Sequence, residues 1–130
     1  MPCLIAALML TVFALTIPAG AQHMNEKDSP CADVVITADL ATCLAKAGNA
    51  ADGQLNAAYK HLRERLDAAD DQRLVAAQRL WVHYRDANCK AERDLYQGGT
   101  AASPAYLACL EAMTRARTRE LSIIYVVKLK

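Results

Sequence analysis

The sequence predicts an all-α fold: a small bundle of three helices, or four if the first breaks near Gly48, stapled by two disulfides. Three observations carry this. Apolar residues recur at steps of three and four over three long segments, the pattern of amphipathic helices. Five glycines and four prolines are too few for a turn-rich all-β chain, and no useful stretch alternates with period two. Four cysteines follow an apolar leader, an even number that suits two bridges in a small exported domain.

The leader comes first. Residues 1–21 carry no charged side chain, so all 15 Lys+Arg and 14 Asp+Glu of the 130-residue chain lie after them, with a net charge of +1. The run LIAALMLTVFALTI, residues 4–17, is broken by Pro18 and Gly20, and Ala19-Gly20-Ala21 fits a small-x-small cleavage site. About 14 apolar residues fall short of the roughly 20 that a membrane span needs. The expectation is a signal peptide over 1–21, cut between Ala21 and Gln22, giving a periplasmic or secreted protein with no stable membrane insertion. Polar residues 22–30 are expected to be disordered, and 31–130 form one helical domain.

The first helix is expected from about Ala38 to Asp67, with Thr37 as N-cap and Asp39 favouring the dipole of the first turn. Its stripe is Leu40, Leu44, Ala47, Ala51, Leu55, Ala58, Leu62 and Leu66. Gly48 and Gly53 each cost about 1 kcal/mol against alanine, which makes a break near Gly48-Asn49 conceivable. The second helix is expected to follow Asp70-Asp71 and run to about Tyr96, with Leu74, Ala77, Trp81, Tyr84, Asn88 and Leu95 near one face and Gly98-Gly99 stopping it. The third starts at Ser103-Pro104, read as N-cap and first helical residue, with the stripe Leu107, Leu110, Thr114, Arg117, Leu121 and Ile124.

Cys31, Cys43, Cys89 and Cys109 allow three pairings. The short gaps from Cys31 to Cys43 and from Cys89 to Cys109 suit local bridges. The second would tether the small-residue loop 97–103. Several polar residues stand where a bundle wants carbon: Gln78, Trp81, Tyr84, Arg85 and Asp86 on the second helix, Thr114 and Arg117 on the third, and Asn56 on the first. They are expected to form a polar layer that fixes helix register, with Arg85, Asp86 and Arg117 as an ion-paired cluster and arginine stems packed on aromatic rings.

Several function classes fall away. A net charge of +1 lacks the basic excess of a general nucleic-acid binder, and one Phe and one Trp make no stacking platform. No phosphate loop, nucleophile elbow, dinucleotide fingerprint or zinc-protease motif occurs. No CxxC exists and His23, His61 and His83 are scattered, so no metal or cofactor is expected. Glu64, Glu92, Glu111 and Glu120 lie among basic residues as on solvated helix faces, and the protein is not expected to be an enzyme.

The order of features resembles the exported family named after the mycobacterial lysozyme inhibitor LprI. The matching residues are Cys31 and Cys43, then Gln54-Leu55-Asn56-Ala57-Ala58-Tyr59. The block Ala77-Gln78-Arg79-Leu80-Trp81-Val82-His83-Tyr84-Arg85-Asp86-Ala87-Asn88-Cys89 follows, and Gly98-Gly99-Thr100, Cys109, Thr114, Arg117 and Leu121 close it. The likeness spans residues 31–121. The lipid-attachment cysteine of the mycobacterial member has no counterpart at position 22. The resemblance implies a binding protein whose partner is a lysozyme. Lysozymes cut glycans with two carboxyl groups in a cleft. An inhibitor would place there the loop of Gly98, Gly99, Thr100 and Ser103, with charge from Arg93, Arg115 or Arg119. The alternative is a periplasmic helical interaction module with a different partner.

Overall fold

The computed structural model describes residues 23–130; the leader and its cleavage site lie outside the described residues. Helix α1 is Thr37–Arg63, α2 is Ala68–Asp94, α3 is Ala102–Ile124, and a short α4, Val126–Leu129, closes the chain. A 3-10 turn, His23–Asn25, precedes them. No strand occurs among the described residues, and none of their helices is long and apolar enough to cross a membrane.

Helix α1 is continuous through Gly48 and Gly53, so the break considered near Gly48 does not occur. Both glycines face open space, and the helix is held elsewhere along its length: Leu44, Ala51, Leu55 and Leu62 are buried on the predicted stripe. Each buried leucine contributes about 2 kcal/mol, enough to offset the glycine cost. Thr37 is the first helical residue rather than the cap; Ile36, extended at φ −84°, takes the cap position. The helix stops at Arg63, before the expected Asp67, because Asp67 begins the next one. Asp67 caps α2, accepting a hydrogen bond from the Asp70 amide at 2.8 Å, and Asp70 and Asp71 fall in its first turn. In α3, Ala101 holds the cap position and Ser103 lies inside the first turn. Pro104 is also in that turn, where a missing N–H costs nothing.

The helices run up, down and up. α3 is central: it packs along both α1 and α2, which approach each other far less closely. Ala105, Ala108 and Ala112 are buried on it beside Thr114, Arg117 and Leu121, so α3 is covered on several sides. Its small residues bring its axis close to its neighbours. Two apolar clusters result. One joins Leu55, Leu62, Leu74 and Leu121, with Tyr59, Leu66 and Trp81 packed against it. The other joins Cys31, Leu44 and Ala108, with Met24, Val34 and Leu40 around them.

The inward face of α2 departs from the sequence reading. Leu74, Trp81 and Asn88 point inward as expected, but Ala77, Tyr84 and Leu95 are exposed. The covered side is instead Leu74, Gln78, Trp81, Arg85, Cys89 and Glu92. Polar residues occupy the buried meridian, so apolar periodicity pointed to its flank.

Residues 23–30, expected to be disordered, are folded as turns with backbone bonds from Glu26 to His23 and from Ser29 to Glu26. Contacts distant in sequence hold them. His23 Nδ1 lies 2.7 Å from Glu92 Oε2, and Arg115 pairs with both Glu26 and Asp28.

Candidate functional site

Both bridges form between near neighbours, Cys31–Cys43 and Cys89–Cys109. Cys89 and Cys109 are fully buried, where α2 and α3 cross. Asn88 Nδ2 and Met113 Sδ lie about the Cys109 sulfur, at 3.6 and 3.7 Å. Cys109, His23 and Glu92 bring ligand-type atoms together, but the Cys109 sulfur is bonded to Cys89 and offers no thiolate.

The polar layer lies between the two apolar clusters. Arg85 is its hub. It donates to Thr114 Oγ1 at 3.1 Å, to Asp86 Oδ1 at 3.0 and 3.1 Å, and to Asp52 Oδ1 at 3.3 Å, so it joins all three long helices. Arg117 donates to Gln78 Oε1 at 3.0 Å and to Glu120 Oε2 at 2.7 Å. Both guanidinium carbons stand over the Trp81 ring, at 5.2 and 5.7 Å from its centroid. The ion-paired cluster is thus split, since Asp86 pairs with Arg85 while Arg117 takes Glu120. Asn56 and Tyr84 are exposed and stand outside the layer. Asp52 is a member that apolar patterning gave no reason to include.

A second network was hidden by the reading of glutamates as solvated. Glu111 is only 3% exposed, and Arg115 donates to it at 2.8 Å while also holding Glu26 and Asp28. Hydrogen bonding to Glu111, then to Asp28, raises the Arg115 pKa above its ordinary value. Arg115 is therefore a structural clamp and not a free charge for a partner. Glu92 is committed to His23 and Glu111 to Arg115, so neither glutamate joins Asp86 in a two-carboxylate site.

Exposed ion pairs set the acid response. The carboxyls of Asp28, Asp70 and Asp71 lie below their usual range through hydrogen bonds from Arg115, from Arg73 and Lys128, and from Arg63 respectively. A lowered folded pKa stabilises the fold above the unfolded value, and this is lost as pH falls through the folded one. Thermal midpoints should hold from neutrality down to about pH 4 and then fall, less steeply in about 1 M salt. A midpoint that rises below that pH would contradict these pairings.

The loop after α2 begins with a tight turn in which the Gly99 amide donates to the Tyr96 carbonyl at 2.8 Å. Its central residues, Gln97 and Gly98, have φ of 49° and 77°. Positive φ at both is the habit of type I′ turns, and it strains a residue such as glutamine. Gly99 is held for space, since a Cβ there would sit 3.1 Å from the Tyr96 carbonyl oxygen. Thr100 and Ser103 are exposed. Arg93, at the end of α2, pairs with Asp94 and stands 5.7 Å from the Tyr106 ring centroid. Arg119 is exposed.

Beside this loop is a depression of about 490 Å³ lined by Met24, Lys27, Val34, Val35, Ala101 and Pro104. Val35 is 90% exposed at its edge, and the next residue in the chain, Ile36, is 61% exposed. Sequence reasoning passed over this pair. The available signal was a run of branched aliphatics, Val34-Val35-Ile36, lying outside every helical stripe.

Fold and surface together define a disulfide-stapled helical domain that presents a tethered loop beside an apolar-edged depression. The chain belongs to the family described as lysozyme inhibitor LprI, whose model matches residues 30–121. It is also similar to the uncharacterized protein R02472 of Rhizobium meliloti (strain 1021), 31% identical over 119 residues, covering 82% of this chain and 84% of that one. No solved structure matches it. The family is one of inhibitors and not of enzymes.

Proposed function

We propose that this protein is an exported inhibitor that binds a lysozyme by seating its loop end in the glycan-binding cleft. The observation that carries the reading is the family match, which encloses both disulfides, loop 98–103 and the Val34–Ile36 edge in one interval. In this mechanism the glycines keep the loop narrow enough to enter. The Thr100 and Ser103 hydroxyls donate to the carboxyl groups that cut the glycan. Val35 and Ile36 supply apolar contact beside them, and Arg93 supplies charge close to the loop. Cleavage after Ala21 would send the chain to the periplasm or beyond, compartments in which two bridges persist.

The test is lysis of cell walls by a lysozyme, followed by turbidity, with purified oxidised protein and its Thr100→Ala/Ser103→Ala variant. The wild type should suppress lysis in a dose-dependent way. The variant should need about tenfold more protein, the loss expected when hydrogen bonds at a binding centre are removed. Equal inhibition by a folded double variant would remove the loop from the mechanism. No inhibition of any lysozyme class by the wild type would defeat the proposal.

A further inference from the structure

Helix α2 carries a second apolar stripe that its own bundle does not cover. Leu80, Tyr84 and Leu95 are 72%, 61% and 73% exposed, and Ala77, Ala87 and Ala91 are exposed with them. These six recur at steps of three and four along one flank of the helix, beside the covered face of Leu74, Trp81, Arg85 and Glu92. Leu95 keeps the helical path, with φ −58° and ψ −25°. At 1.5 Å per residue the stripe is about 27 Å long. A contiguous exposed apolar strip of this kind is a surface that a partner can cover.

The order of large and small residues says what fits it. A two-fold axis perpendicular to the helix makes its surface meet itself in reverse, so that each residue finds its counterpart across the centre. Reversed about a point near Arg85-Asp86, Leu95 falls opposite Ala77 of a second copy, Leu80 opposite Ala91, and Tyr84 opposite Ala87. Every layer then holds one large and one small side chain, which fills space evenly and lets the helices approach closely. A parallel alignment would set Leu80 on Leu80 and Tyr84 on Tyr84, and would leave the alanine layers empty. We propose that the chain forms a homodimer through antiparallel pairing of α2 with α2 of a second copy. The assignment does not depend on which partner the loop end binds.

Sedimentation equilibrium of the purified, oxidised protein over about 1–300 µM tests it, in a range where a modest helix-pair interface associates. A reversible monomer–dimer equilibrium is expected. Leu80→Ala leaves a gap against Ala91 of the second copy, and Ala91→Leu crowds Leu80 of the second copy. Each should weaken association about tenfold. The combined variant Leu80→Ala/Ala91→Leu exchanges large for small within one layer and should return association to within about threefold of wild type. Both positions are exposed in the monomer, and circular dichroism of each variant verifies that the fold is intact. A protein that stays monomeric throughout, even one that binds a lysozyme, overturns the proposal. So does a dimer indifferent to the single changes, or one that the exchange fails to restore.

Discussion

Replacing Cys89 and Cys109 together by alanine is expected to lower stability by about 3 kcal/mol and the thermal midpoint by roughly 15 °C. The bridge closes a segment with a sequence separation of 20, against 12 for Cys31–Cys43. Loop entropy alone makes the longer one worth only about 0.5 kcal/mol more. Packing separates them further. Cys89 and Cys109 are both fully buried where α2 meets the central helix, whereas Cys43 is only half-buried. Losing these sulfurs leaves a gap beside Met113 and Asn88 as well as a freer unfolded chain. Thermal unfolding of the two paired-alanine variants checks this, with the larger fall expected for Cys89/Cys109. An unchanged midpoint would show that neither the crosslink nor the packing of its sulfurs stabilises the fold.

Arg115→Met should cost about 3 kcal/mol. The change keeps most of the aliphatic stem and removes the counter-charge of Glu111, which is buried and bonded to Arg115 at 2.8 Å. A buried carboxylate without its counter-ion must either stay charged in a poor solvent or take up a proton, and both cost stability. The N-terminal turns are released as well, since Glu26 and Asp28 pair with the same guanidinium. A second variant separates these effects. Glu111→Met/Arg115→Met removes the stranded charge along with its partner, so it should recover a large part of the loss while the N-terminal segment stays loose. Urea midpoints and amide exchange over residues 23–30 report the two parts. A double variant less stable than Arg115→Met would show that Glu111 is not a costly stranded charge once Arg115 is gone.

Helix α1 was legible because its leucines and alanines keep one phase for more than six turns and its buried face contains only carbon. The bridges were legible from cysteine number and gap length. Helix α2 was readable as a helix but not in its orientation, because Gln78, Arg85 and Glu92 occupy its buried meridian while leucines and a tyrosine lie on its flank. Periodicity analysis takes charge as a sign of solvent, and that premise fails wherever a charge finds a partner on another element. Glu111 is the sharpest case. Its neighbour Arg115, four residues on, looked like an ordinary surface pair, and nothing local shows that both lie under the N-terminal turns. Those turns are not legible in the sequence for the same reason, since Glu26 and Asp28 meet an arginine 89 and 87 residues away. At the loop, the paired glycines between Cys89 and Cys109 are plain in the sequence. The depression beside it is not, because it arises only where the approach to α1 meets the start of α3.

Among the described long helices α3 is synthesised last, and it is also the one against which the other two pack. Until Leu121 is synthesised, Leu55, Leu62 and Leu74 lack the member of their cluster that the central helix supplies. A nascent chain ending anywhere before α3 can form transient single helices but no stable interior. The interior of this domain therefore closes only once α3 joins the two helices before it.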